Sequence, residues 1–223
     1  DVLNSLSDKS KNPEYRFQRL YRNLYNPDFY LLAYKNIYAN GGSMTPGVNG
    51  ITIDGMSSQR IAKLIESLKD RSYQPNPARR TYIAKKNTPA KKRPLGIPSG
   101  DDKLVQEVIR MLLESIYEPN FSDASHGFRP QKSCHTALTK IQKTFTGAKW
   151  FVEGDIKACF DSFDHHVLID ILRRRIKDEH FIALMWKMLK AGYMEQWIYH
   201  HTYSGTPQGS GVSPILANIY LSE

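Results

Sequence analysis

The sequence predicts a mixed α+β fold, and three patterns carry that reading. Leu104, Val105, Val108, Ile109, Leu112, Leu113 and Ile116 recur with helical period, as do Ile61, Leu64, Ile65 and Leu68. Residues 79–85 and 93–98 read as two strands joined by a Lys/Asn/Thr/Pro turn, a basic β-hairpin. Trp150, Phe151 and Val152 cluster in a third strand-like run, 149–156.

In chain order, the first residues are polar and lack the apolar centre of a signal peptide. Residues 15–25 and 28–40 then read as helices, with Tyr30, Tyr34 and Tyr38 on one face as a buried aromatic stripe. Gly41, Gly42, Pro46, Gly47, Asn49 and Gly50 form a loop long and polar enough to contact a ligand, although a surface turn would use the same residues. Ser57 or Ser58 caps the helix that carries Ile61 to Leu68, and Asp101 or Asp102 caps the helix that runs to about residue 117. Beyond an irregular link at 125–130 lies a helix over 133–145. The strand-like run 149–156 then delivers Asp155 at its end, before a turn over 157–163. Helices over 165–176 and 180–190, a strand over 197–203, a Gly/Pro turn over 204–210 and a helix from Ser213 still running at Glu223 complete the chain. Internal repeats and low-complexity tracts are absent.

The chain has 223 residues, 40% of them hydrophobic and 11% aromatic, which is ample for a packed core and excludes global disorder. No window approaches the roughly 18 consecutive apolar residues of a spanning helix, so a soluble intracellular protein is expected. Cys134 and Cys159 lack metal-knuckle spacing and read as reduced core residues. His165-His166 and His200-His201 have no third ligand at suitable spacing and read as helix-surface and strand positions.

The net charge of +9 is unevenly placed. Residues 71–100 hold Arg71, Arg79, Arg80, Lys85, Lys86, Lys91, Lys92 and Arg93 and no acidic residue. A solvated surface mixes signs, so a one-sign block interleaved with Tyr73, Tyr82 and Ile83 favours a polyanion, and its prolines exclude a basic amphipathic helix on a membrane. Arg79, Arg80, Lys86, Lys91 and Lys92 are the expected nucleic-acid contacts.

Two segments carry chemistry. In DIKACFD, Asp155 sits where a strand would end, and an exposed carboxylate there can ligate Mg²⁺, which prefers oxygen donors. Capping alone explains Asp164 well, Asp161 partly and Asp155 poorly, because a carboxylate in an apolar strand is costly without a partner. In GTPQGSGVSP three glycines let backbone approach a ligand and lead into a helix start.

The blocks KKRPLGIPSGDDKLVQEVIRMLLESIYEP, SDASHGFRP, FVEGDIKACFDSFDH and SGTPQGSGVSPILANIYL, in this order and spacing, resemble the successive reverse-transcriptase blocks of group II intron-encoded proteins, the maturases. The stretch YNPDFYLLAYKNIYANGGSMTPGVNG resembles that family's extra N-terminal block, which extends the resemblance over about nine-tenths of the chain. The resemblance implies a right-hand polymerase fold, with fingers over 1–145 and the beginning of the palm over 146–223. It implies that Asp155 is the first catalytic aspartate and ligates both Mg²⁺ ions, with the Ile156 carbonyl as a backbone ligand. Phe160 matches the aromatic gate that rejects a 2′-hydroxyl, Lys85 and Arg93 the residues that grip the triphosphate, and Gln208 a residue beneath the incoming nucleotide. The loop holding Thr45, Pro46, Gly47 and Asn49 matches one that lies over template and primer.

The implied partners are intron RNA, an RNA template with a DNA primer, and dNTP. The implied location is bacterial cytoplasm or an organelle. The family's Tyr-Ala-Asp-Asp block, its thumb and its maturase domain should follow Glu223, so the chain reads as a fragment without the full two-metal site. Such a fragment would expose apolar palm surface that favours a homodimer. The alternative from the same residues is a non-catalytic RNA-binding module that assists intron folding and splicing.

Overall fold

The computed structural model describes residues 1–85, 88–206 and 209–223, without the side chains of residues 85 and 88–91. Its eight α-helices among the described residues are α1 (Val2–Ser10), α2 (Pro27–Tyr38), α3 (Ser58–Lys69), α4 (Gly100–Tyr117), α5 (Cys134–Thr144), α6 (His165–Arg175), α7 (Glu179–Leu189) and α8 (Ser213–Leu221). The four strands β1 (Ala78–Lys85), β2 (Thr88–Ile97), β3 (Tyr193–Glu195) and β4 (Ile198–His200) form one mixed sheet in the order β2-β1-β3-β4.

Helix α4 is the axis of the core. All seven residues of its apolar stripe are fully buried, and α1, α2 and α8 pack around it. The α3 stripe is buried too, behind an Ser57 N-cap that accepts from the Arg60 amide at 3.2 Å. Helices α6, α7 and α8 contribute to the same continuous core, so residues before and after 145 share one apolar interior.

The basic hairpin forms, but its second strand begins at Thr88, within the expected turn, and not at Arg93. Strands β1 and β2 pair antiparallel with Arg80 opposite Gly96 and Ile83 opposite Arg93, and the register shifts between Ala84 and Lys85. The expected strand over 197–203 is shorter and belongs to a second hairpin. Strands β3 and β4 pair antiparallel, and β3 lies parallel to β1, with Ala78 opposite Tyr193. Gln196 and Trp197 form their two-residue turn with φ of 49° and 67°, a left-handed pair usually given to Asn-Gly.

Other expectations are corrected. The polar N-terminus forms α1, capped by Asp1, with Leu3 and Leu6 against the core. Residues 15–25 are not one helix: Phe17 makes a parallel bridge to Ile176, its amide donating to the Arg175 carbonyl at 2.8 Å, and only Tyr21–Tyr25 closes a 3-10 turn. Backbone bonds to a distant segment outcompete the local helix here. In the tyrosine stripe only Tyr30 is fully buried, while Tyr38 is half exposed. The N-cap position of α4 is Ser99, two and three residues before the aspartates expected there, and its side chain makes no capping bond. Helix α8 closes at Leu221 with Ser222 as its C-cap.

The run 149–156 is coil, with Trp150 91% and Val152 100% exposed. Its residues favour a strand, but a strand needs a neighbour, and no described strand lies beside it. Neither cysteine is a core residue: Cys134 is exposed at the start of α5, a helix with no buried side chain, and Cys159 is half-buried in a 3-10 turn. No helix among the described residues is long and apolar enough to cross a membrane.

Candidate functional site

The base of the basic hairpin is built around Asp102, one turn into α4 and 1% exposed. Its carboxylate accepts from the Tyr73 hydroxyl at 2.5 Å, the Ser99 hydroxyl at 2.6 Å and the Asn76 amide nitrogen at 3.0 Å. Burial, with the adjacent carboxylate, pushes the Tyr73 hydroxyl well above its ordinary range, so it remains a donor. The segment entering β1 and the turn leaving β2 are thereby tied to one buried acceptor.

The loop over residues 41–50 is fastened to the same place. Lys103 donates to the carbonyls of Gly42, Ser43 and Thr45 at 3.1, 2.9 and 2.6 Å. Burial, and then the Arg79 charge, lower its pKa. Arg79 Nε donates to the Pro46 carbonyl at 2.9 Å. Gly47 lies so close to the chain after β2 that a Cβ there would stand 2.6 Å from the Ser99 Cα, and a Cβ on Gly100 would strike the Thr52 carbonyl. Asn49 is exposed, with its side-chain oxygen turned back to the Ile51 amide at 3.0 Å.

The glycine-rich turn joins the hairpin to the segment after Asp155. Gly205 and Thr206 donate their amides to the carbonyls of Phe163 and Phe160, both at 2.7 Å. The Gly205 carbonyl, which can only accept, receives a 2.7 Å bond from His165 Nε2. His165 is therefore a buried positioning group and not the surface residue expected. At the other end of the turn, Gly209 (φ 105°) lies against β2, where a Cβ would stand 2.6 Å from the Gly96 carbonyl oxygen. Gln106 of α4 accepts from the Ser210 hydroxyl at 3.0 Å and the Gly211 amide at 3.3 Å.

Phe160 is brought beside this turn, its ring centroid 6.1 Å from Phe128 and 6.3 Å from Phe163. Phe128 is exposed at φ 55°, on a loop held by buried Arg129, which donates to Glu118 and to the carbonyls of Ser122 and Ser125. Lys92 and Arg93 are exposed on β2, whereas Arg79 and Arg80 are half-buried, and none of the four takes part in an ion pair among the described residues. The triple arginine of α6 is occupied: Arg173 and Arg174 pair with Glu179 and Glu223, and Arg175 donates to the Ser10 carbonyl.

Asp155 stands apart from these contacts, exposed on coil and without a hydrogen bond or ion pair among the described residues. Ile156 is exposed beside it. A carboxylate and a backbone carbonyl are the hard oxygen donors that Mg²⁺ prefers. Among the described residues no three His, Cys, Asp or Glu side chains gather as a metal cluster. Lys86 and Gln208 lie outside the described residues, as do the side chains of Lys85 and Lys91. Sequence reasoning missed Asp102, Lys103, Gln106 and Phe128. Only the two carboxylates at the start of α4 hinted at a hub.

Residues 83–223 match the family model described as reverse transcriptase (RNA-dependent DNA polymerase). The chain is 57% identical over all 223 residues to the group II intron-encoded protein LtrA of Lactococcus lactis subsp. cremoris, and covers 37% of that protein. It is 40% identical to protein YkfC of Escherichia coli over 95% of the chain and 57% of YkfC. It is 38% identical to nuclear intron maturase 1, mitochondrial, of Arabidopsis thaliana over 42% of the chain and 13% of that relative. The chain thus spans between about an eighth and three-fifths of the length of these relatives. Among solved structures, a chain of the "Partial Cas6-RT-Cas1–Cas2 complex" shares the fold at a TM-score of 0.57, with 22% identity over 91% of this chain and 34% of the other. This chain belongs to the reverse transcriptase family.

Proposed function

We propose that the protein copies RNA into DNA and binds the RNA of a group II intron as a splicing cofactor, with fingers over 1–145 and the start of the palm over 146–223. The observation that carries this reading is the glycine-rich turn joining the backbone at Phe160 to β2, the strand that bears Arg93.

In this reading the Arg93 guanidinium, with Lys85, holds the triphosphate of a dNTP, a fixed fork beside a point charge. The Phe160 ring, held between Phe128 and Phe163, fills the space a ribose 2′-hydroxyl needs. Gln208 lies beneath the incoming nucleotide, and Thr45, Pro46, Gly47 and Asn49 lie over template and primer. The Asp155 carboxylate and the Ile156 carbonyl would hold Mg²⁺. When bound, a pair of such ions activates the primer 3′-hydroxyl and stabilises the leaving pyrophosphate. Lys86, Lys91 and Lys92 track nucleic-acid backbone together with Arg80, while Arg79 also supports the loop through Pro46. The relatives are bacterial and mitochondrial, which supports the bacterial cytoplasm or an organelle as the setting. Exposed Trp150, Phe151 and Val152 support self-association as a homodimer.

In full-length protein Asp155→Ala should abolish primer extension while leaving RNA binding intact. Extension at the wild-type rate would remove Asp155 from the chemistry. RNA affinity of the 223-residue chain should fall with salt at a log-log slope of about 0.7 to 0.9 per phosphate neutralised. Neutralising Arg93 should impair dNTP use more than RNA binding, and neutralising Lys92 the reverse. If full-length protein binds RNA but does not extend a primer, the non-catalytic splicing module is the better reading.

A further inference from the structure

Phe128 is placed in a way that folding alone does not reward. Its ring is 70% exposed, and its backbone sits at φ 55°, a left-handed conformation that costs free energy in a bulky residue. The loop that carries it is nevertheless fixed from two directions. The buried Arg129 guanidinium donates to the Glu118 carboxylate at 2.9 and 3.0 Å and to the Ser122 and Ser125 carbonyls at 2.6 and 2.8 Å. From α8, the Asn218 side-chain amide donates to the Gly127 carbonyl at 2.9 Å. Those bonds hold an apolar ring largely in solvent, where it gains little from burial.

What the ring meets is Phe160. The two centroids lie 6.1 Å apart with their planes at 80°, an edge-to-face pair. Phe160 also meets Phe163 at 6.3 Å and 61°, and Phe163 is buried and packs on Tyr220 of α8 at 4.7 Å. One ring beside Phe160 therefore belongs to the interior, and the other is a single side chain on the surface. We propose that Phe128 is a positioning residue that sets how strictly the protein selects deoxynucleotides, an inference that rests on the reading of Phe160 as the gate against a 2′-hydroxyl. Such a gate works by staying in place, because discrimination by size is lost when the ring can turn aside. Phe163 is held by its own packing, and Phe128 supports Phe160 where the interior does not reach. Phe128 acts through that contact and has no need to touch the nucleotide. A residue kept at positive φ by buried bonds fits such a role, since strain persists where the surroundings over-determine the conformation.

The test uses full-length protein, an RNA template with a DNA primer, and kcat/KM for a dNTP and for the matching rNTP. Phe160→Val should collapse the ratio of the two. Phe128→Ala should lower that ratio about fivefold, the order of selectivity one edge-to-face ring pair can supply. Phe128→Tyr keeps the ring and should hold the wild-type ratio. In a Phe160→Val background Phe128→Ala should change the ratio no further, because the two rings act as a unit. A purely structural role for Phe128 would lower dNTP and rNTP use equally and leave the ratio where it was. Protein that extends no primer, or a Phe160→Val variant that keeps the ratio, would remove the gate reading and this inference together. A ratio lowered by Phe160→Val and untouched by Phe128→Ala would overturn the inference alone. So would a Phe128→Tyr variant as permissive as Phe128→Ala. A further loss from Phe128→Ala in the Phe160→Val background would put Phe128 on the nucleotide itself and also overturn it.

Discussion

The two sides of the glycine-rich turn are built differently. On the β2 side, hairpin, loop and turn meet at three side chains of α4: buried Asp102 accepts from three residues, Lys103 donates to three carbonyls, and Gln106 accepts from the end of the turn. On the other side, Asp155 stands on exposed coil among Trp150, Phe151 and Val152. Groups that meet a ligand without rearranging are held by bonds made within the fold, and on the first side such bonds hold the base of the hairpin, the loop and the turn. The second is tied to the turn at the carbonyls of Phe160, Asp161 and Phe163. Preorganisation here is a property of shared hydrogen bonds, and the Asp155 segment would gain it from a strand laid alongside.

The largest expected contrast between the two sides comes from their aspartates. Asp102→Ala leaves the Tyr73 and Ser99 hydroxyls and the Asn76 amide without an acceptor and should cost about 3 kcal/mol or more. Asp155→Ala should change stability by no more than about 0.5 kcal/mol, and paired urea titrations would separate the two. Glycines sharpen the comparison. Gly209→Ala drives a Cβ toward the Gly96 carbonyl at positive φ and should cost about 2 kcal/mol, with faster amide exchange at the base of β2. Gly154→Ala, which meets nothing within 4 Å, should be nearly silent in the same assay.

A smaller gain is expected away from both sides. Replacing Gln196-Trp197 by Asn-Gly relieves two left-handed residues and should stabilise the β3–β4 hairpin by about 1 kcal/mol, read as a rise in thermal midpoint. The smallest effect is a pH dependence at the Asp164 cap of α6. Backbone bonds from Val167 and His166 lower its pKa, so its contribution is present above the ordinary carboxylate value and is lost as pH falls through the lowered one. Asp164→Asn should flatten that part of an acid titration and leave neutral stability almost unchanged. An identical acid slope in wild type and variant would show that the cap is not pH-linked.

What was legible in the sequence was local. The stripes of α3 and α4 and the basic hairpin follow from period and turn chemistry within a few residues. Residues 15–25 were misread because the bonds that set their shape come from Arg175 and Lys177, more than 150 positions away. Tyr193–Glu195 was missed because its turn carries Gln and Trp where a hairpin signal would carry Asn and Gly. Residues 149–156 have the composition of a strand, but composition cannot supply a partner. For the site, the glycines announced close approach of backbone, and the fold identified what they approach. Asp102 looked like a helix cap because capping is the commonest use of an aspartate there, and its three donors come from residues 73, 76 and 99.

The turn between Gly205 and Gly209 also sets a mechanical limit. Four residue steps of extended chain span at most about 14 Å, and the two ends are anchored on the Phe163 carbonyl and on β2. The strand base at Gly96 therefore cannot travel far from Phe160. The base of the hairpin, where Arg80 stands opposite Gly96, keeps its place beside Phe160 whatever binds there.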